Sequence, residues 1–153
     1  MTNQPDTFSG PPRELGGDCE WYAVDSSGQI GFFTSAGEGD LPELYWPIPT
    51  MLGELAETVA QMPEICGHEF VAERRSGDYR SWTDAADKGM YGYDYDLYEK
   101  RGYMLMTIPG RPLRIGDAVA AWACVLPRYE GVFGRGSMAI SSSSVLKWRP
   151  RLR

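Results

Sequence analysis

The sequence predicts an α+β domain, a mainly antiparallel sheet of five to six strands with two to three helices on it. Three observations predict it. Runs rich in aromatic and β-branched residues recur along the chain and end at clusters of Gly, Pro, Asp and Ser, as strands end at turns. At least one segment, Thr50 to Met62, carries its apolar residues at helical spacing. The chain has 153 residues, the length of one domain that buries about two-thirds of its unfolded surface.

Residues 1–18 hold Pro5, Gly10, Pro11, Pro12, Gly16 and Gly17 and are expected to form a loose arm. The domain itself is expected to span residues 19–146. Its first element is a hairpin, in which Glu20 to Val24 and Gln29 to Thr34 flank the turn formers Asp25-Ser26-Ser27-Gly28. Trp21 and Ala23 point to one side, Tyr22 and Val24 to the other, so both faces are apolar and a central, covered position is expected. Residues 35–50 follow as a long loop, acidic at Glu38, Asp40 and Glu43 and stiffened by Pro42, Pro47 and Pro49. Trp46 in it reads either as a plug over the core or as an exposed anchor.

In Thr50 to Met62, Leu52, Leu55, Val59 and Met62 make one stripe, Glu54 and Glu57 face solvent, Thr50 is the expected N-cap and Pro63 the stop. Glu69 to Arg75 is expected as a strand. Ser81 to Gly89 is a short helix with Ser81 as N-cap and Gly89 as C-cap. Met90 to Asp96 alternates, with Tyr91, Tyr93 and Tyr95 on one strand face and Gly92, Asp94 and Asp96 on the other. Gly102 to Ile108 is a strong strand, turned by Pro109-Gly110-Arg111-Pro112. Leu113 to Leu126 fits either a helix or a buried strand, and Ser137 to Ser141 is the last strand. Residues 147–153 form a basic tail.

Charge is distributed unevenly. Residues 1–70 hold twelve acidic side chains and one basic one, while residues 71–153 hold nine acidic and fourteen basic ones, for a net charge of −6. The acidic half disfavours general binding to phosphate backbones and suits a basic partner. Three cysteines, Cys19, Cys66 and Cys124, with no C-x-x-C pair, argue against a disulfide framework or a zinc knot. The polar stretch Met1 to Gly10 is unlike a signal sequence and no apolar run is long enough to span a bilayer. A cytoplasmic protein with no membrane partner is therefore expected.

Chemistry-bearing groups are few. One histidine, His68, excludes a two-histidine metal triad. Cys66 and His68, two apart, are the most reactive-looking couple, yet no nucleophile signature flanks Cys66. Asp94 and Asp96 resemble a carboxylate pair for glycoside hydrolysis or divalent-metal binding, with Asp84 and Asp87 near in sequence. The plainer reading gives them Arg74, Arg75 or Arg80 as partners, and a third puts both in an acidic binding patch. Gly131 to Gly136 matches no phosphate-binding loop. Lys147, Arg149, Arg151 and Arg153 around Trp148 invite a nucleic-acid reading, which the acidic body weighs against.

The stretch Trp21 to Gly37, the element Gly89-Met90-Tyr91-Gly92-Tyr93-Asp94, the strand start Arg101-Gly102-Tyr103 and the turn Pro109 to Leu113 together resemble the immunity proteins of bacterial polymorphic-toxin systems. The resemblance covers residues 20–115 in patches and its motifs are structural, so it transfers no site residues. It implies an inhibitor that binds a toxin domain and blocks it. The expected function is thus a non-enzymatic protein-binding module for a basic toxin domain. Its expected partner-binding residues are Glu38, Asp40, Glu43, Trp46, Asp94 and Asp96, with no catalytic residue, metal or cofactor. The alternative is a small hydrolase or metal-dependent enzyme using Asp94 and Asp96 with Asp84 or His68.

Overall fold

The computed structural model describes residues 19–39, 49–71, 78–116 and 126–141. The N-terminal arm, Asp40, Glu43, Trp46, Arg74, Arg75, most of the ambiguous 113–126 stretch with Cys124, and the basic tail lie outside the described residues. In chain order the elements among the described residues are β1 (Glu20–Val24), β2 (Ile30–Thr34), α1 (Pro49–Gln61), β3 (His68–Phe70), α2 (Arg80–Asp87), β4 (Tyr91–Tyr95), β5 (Tyr103–Pro109) and β6 (Ala139–Ile140), with a 3-10 turn at Arg135–Ser137.

The six strands form one sheet in the order β1-β2-β4-β5-β3, and β6 also pairs with β5. The sheet is mixed. β1–β2, β4–β5, β3–β5 and β5–β6 are antiparallel, whereas β2 and β4 run parallel from Gly31 opposite Tyr91 to Thr34 opposite Asp94. The parallel pair follows from what lies between its strands. Residues 35–90 contain both helices, and neighbouring parallel strands need such a crossover.

Both faces of the hairpin are buried, as its pattern predicts: all of β1 but Glu20, and all of β2. The central position is corrected. β1 ends the strand order, and its outer flank is covered by the segment 126–141. There the Val24 N–H donates to the Pro127 carbonyl (3.0 Å) and the Tyr129 N–H to the Val24 carbonyl (2.9 Å). The same segment then crosses one face of the sheet. The Tyr93 hydroxyl donates to the Ser137 carbonyl (2.9 Å) and accepts from the Gly134 N–H (3.1 Å), and the Leu105 N–H donates to the Met138 carbonyl (2.8 Å). Burial pushes the Tyr93 hydroxyl above the ordinary phenol range.

On that face the core is an aromatic stack centred on Phe33. Its ring lies 4.1 Å from Trp21 and 5.0 Å from Tyr93, both nearly parallel. Edge contacts to Tyr103 (5.5 Å) and Phe133 (5.8 Å) close it. Offset stacking and edge contacts are the favoured aromatic geometries.

α2 covers the other face. Its approach depends on Gly92, where a Cβ would stand 2.3 Å from Thr107 Oγ1 and 3.1 Å from Trp82 Cβ. The Thr107 hydroxyl donates to the Trp82 carbonyl there (3.0 Å). Of the predicted stripe, α1 buries Leu55 and Val59, and Met62, just past its end, is half-buried, while Glu54 and Glu57 face solvent; the side chain of Leu52 lies outside the described residues.

Several boundaries differ from expectation; the last strand, expected from Ser137 to Ser141, is Ala139–Ile140, because Ser137 closes the 3-10 turn before it. α1 starts at Pro49, so Thr50 lies inside the helix rather than capping it; proline is favoured in a first turn, where its missing N–H costs nothing. α2 starts at Arg80, with Tyr79 at the N-cap and Lys88 at the C-cap, so Ser81 caps nothing. The carboxylate of Asp78 instead accepts the Arg80 N–H (3.0 Å). The strand expected from Glu69 begins at His68 and is three residues long, its length set by pairing with Thr107–Pro109 of β5.

Candidate functional site

β2 and β4 are parallel and β5 antiparallel to them, so the C-terminal ends of β2 and β4 and the start of β5 meet at one end of the sheet. This brings the root of the acidic loop, Ser35 to Gly39, beside the turn 96–102. Gly39 is buried against Tyr95 and Tyr103. Glu38 and Lys100, both about half exposed, form an ion pair across the two segments (2.6 Å). Two parts of the expected binding set, the acidic loop and the Asp94–Asp96 strand, are therefore neighbours.

Asp94 lies on the α2 side of β4, half-buried. Its Oδ1 accepts from the Thr34 hydroxyl (2.6 Å), which in turn accepts from the Trp82 indole N–H (3.1 Å). Asp96 sits just past β4 and is only 7% exposed. Its carboxylate accepts from the backbone N–H groups of Tyr98 (3.1 Å), Glu99 (3.2 Å) and Arg101 (3.4 Å) and from Arg101 Nε (2.6 Å). Asp94 thus meets Thr34 and Asp96 meets Arg101; of the arginines weighed as their partners, Arg80 pairs with Asp78 (2.6 Å), and Arg74 and Arg75 lie outside the described residues.

Asp96 organises the turn rather than decorating it. The Asp96 N–H donates to the Gly102 carbonyl (2.8 Å) and the Lys100 N–H to the Asp96 carbonyl (3.0 Å). Lys100 takes a left-handed backbone (φ 56°), and Gly102, at φ 109°, has the Ile140 carbonyl oxygen 2.5 Å from where a Cβ would stand. The sequence pointed to Asp96 as a surface acid. The missed signal is an aspartate at the end of a strand, whose short side chain can accept from the N–H groups two and three residues later, a side-chain turn motif.

The Arg101 guanidinium first, and then the N–H groups of Glu99, Tyr98 and Arg101, hold the Asp96 carboxyl at about 2, against the opposing effect of burial. A carboxyl lowered in the folded state stabilises the fold above its unfolded value of about 3.9, and that stability is lost as pH falls through the folded value. Asp96→Asn should therefore lower the urea midpoint at pH 7 and leave a flatter decline between about pH 4 and pH 2 than the wild type shows. An unchanged acid limb would assign that stability elsewhere.

The Cys66–His68 couple is split between two different sets of contacts. Cys66 Sγ lies 3.3 Å from the Ala86 carbonyl and 3.6 Å from those of Asp87 and Arg111. His68 Nδ1 meets Asp87 Oδ1 at 2.8 Å. Asp84, considered with Asp94 and Asp96 as a metal ligand, instead groups with Glu64 and Asp87, whose ligand oxygens all lie within 4.8 Å of one another. Asp87 is half-buried and the other two are exposed. Among the described residues these three are the carboxylates placed to share an ion.

Compared with protein-family models, curated proteins and solved structures, the chain matches none. Among the described residues no helix is long and apolar enough to cross a membrane.

Proposed function

We propose that the chain is a protein-binding module of immunity type, which neutralises a basic toxin domain from the cytoplasm through the sheet end built by residues 35–39 and 94–102. One observation carries this reading: Glu38, at the root of the acidic loop, is ion-paired to Lys100 in the turn that Asp96 organises. Glu38, Asp94, Asp96 and Glu99 outnumber Lys100 and Arg101 there by two charges. Both cations are held by carboxylates, Lys100 by Glu38 (2.6 Å) and Arg101 by Asp96 (2.6 Å) and Glu99 (3.2 Å). In sequence, Gly39 is followed by Asp40, Glu43 and Trp46, the rest of the expected binding set. Surfaces of this kind speed the encounter with a basic partner and exclude wrong ones. Asp96 contributes to this surface by holding its shape, since its carboxylate is spent inside the turn.

The test is a growth assay. Expression of the toxin domain encoded beside this gene should arrest growth, and co-expression of this chain should restore it. Unrelieved arrest, or a neighbourhood holding only metabolic genes, would contradict the reading.

A further inference from the structure

Four large apolar side chains among the described residues are exposed: Leu97 (41%), Tyr98 (75%), Val132 (49%) and Met138 (42%). Isolated ones are ordinary on a protein surface. Leu97 and Tyr98 differ because they are adjacent and sit on the turn at the acidic end of the sheet. Every other described aromatic is buried or half-buried, so Tyr98 stands apart from the rule this aromatic-rich chain otherwise follows.

We propose that Leu97 and Tyr98 form a convex anchor that enters a concave, apolar pocket rimmed by lysine or arginine on the protein partner; this rests on the binding reading above. The first support is rigidity. Between the strand ends, the backbone is pinned by the Asp96 carboxylate at Tyr98, Glu99 and Arg101. A tyrosine on a fixed backbone has only two side-chain torsions to order, so little entropy is lost when it is buried. The second support is the rim. Glu99 and Glu38 are more than half exposed beside the tip, and with Asp94 and Asp96 they outnumber Lys100 and Arg101 by two charges, which leaves a net acidic collar for a basic one. The third is residue type: tyrosine anchors that are fully desolvated at the centre of an interface carry a disproportionate share of its binding energy.

The experiment places a photo-crosslinking phenylalanine analogue at position 98, and in a parallel chain at position 132, in the cells the gene comes from. The polypeptide joined at position 98 is identified, purified and titrated against the wild type, Tyr98→Ala, Leu97→Ala and Val132→Ala. The expected result is crosslinking at 98 and not at 132, a Kd weakened about 30-fold or more by Tyr98→Ala, and no change with Val132→Ala. Urea midpoints of Tyr98→Ala and the wild type should agree, which separates lost contact from lost fold. A partner that binds Tyr98→Ala as tightly as the wild type removes the anchor and leaves the binding reading standing. Crosslinking at 132 alone also overturns the anchor. Failure of the growth assay, by contrast, removes the binding reading itself.

Discussion

Asp25→Ala is expected to cost about 3–5 kcal/mol, a large part of the 5–15 kcal/mol that holds a typical domain together. The side chain is fully buried in the hairpin turn. Oδ1 accepts from the Ser27 N–H (2.9 Å), the Ser27 hydroxyl (3.0 Å) and the Gln29 N–H (2.8 Å). Oδ2 accepts from Gln29 Nε2 (2.9 Å) and from the Phe133 N–H (2.9 Å), which lies 108 residues along the chain. Removing the carboxylate leaves three buried donors, the Gln29 and Phe133 N–H groups and Gln29 Nε2, without their acceptor, and cuts one of the ties between the hairpin and the 126–141 segment. A buried donor so stranded costs about 1–3 kcal/mol. Asp25→Asn keeps one oxygen but turns an NH2 toward the remaining donors, so it should fall between alanine and wild type. Urea unfolding measures the order. A loss below about 1 kcal/mol for Asp25→Ala would show that water replaces the carboxylate at little cost.

Phe33→Ala should cost a similar amount, about 3–5 kcal/mol, for a different reason. Phe33 is fully buried, and four aromatic rings, those of Trp21, Tyr93, Tyr103 and Phe133, meet it. Each ring pair adds about 0.5–1.5 kcal/mol beyond area burial, and the cavity left behind is walled by strands of one sheet that cannot collapse far. Phe33→Leu fills much of the space and should lose markedly less. Equal losses for the two variants in urea unfolding would mean that shape and ring contacts at this site do not matter.

The two positions show what the sequence can and cannot disclose. Phe33 belongs to a strand whose apolar run and flanking turn are local signals, and β1 and β2 were legible almost to the residue. β4 and β5 were legible for the same reason. Asp25 was legible as a turn former, but its role as an acceptor for Phe133 was not, because that contact depends on how a distant segment folds back. The parallel β2–β4 pairing was hidden likewise, since strand order is set by the crossover and not by the pattern inside either strand. At the candidate site, the acidic character of Glu38, Asp94 and Asp96 was legible in sequence. The division of labour was not: Asp94 is tied to Thr34, Asp96 is enclosed by its own turn, and exposure falls instead on Tyr98, which no spacing rule singles out.

The acidic end of the sheet is the proposed binding surface. The most direct test is the calorimetric Kd of the toxin domain that the proposed function expects a neighbouring gene to encode, for the wild type and for the double variant Glu38→Gln/Glu99→Gln. Both carboxylates are exposed, so the fold should be unaffected. The account predicts tight binding by the wild type, weakened about tenfold or more by the double variant, with the difference shrinking as salt rises. Equal affinity for the two proteins at low salt would contradict it.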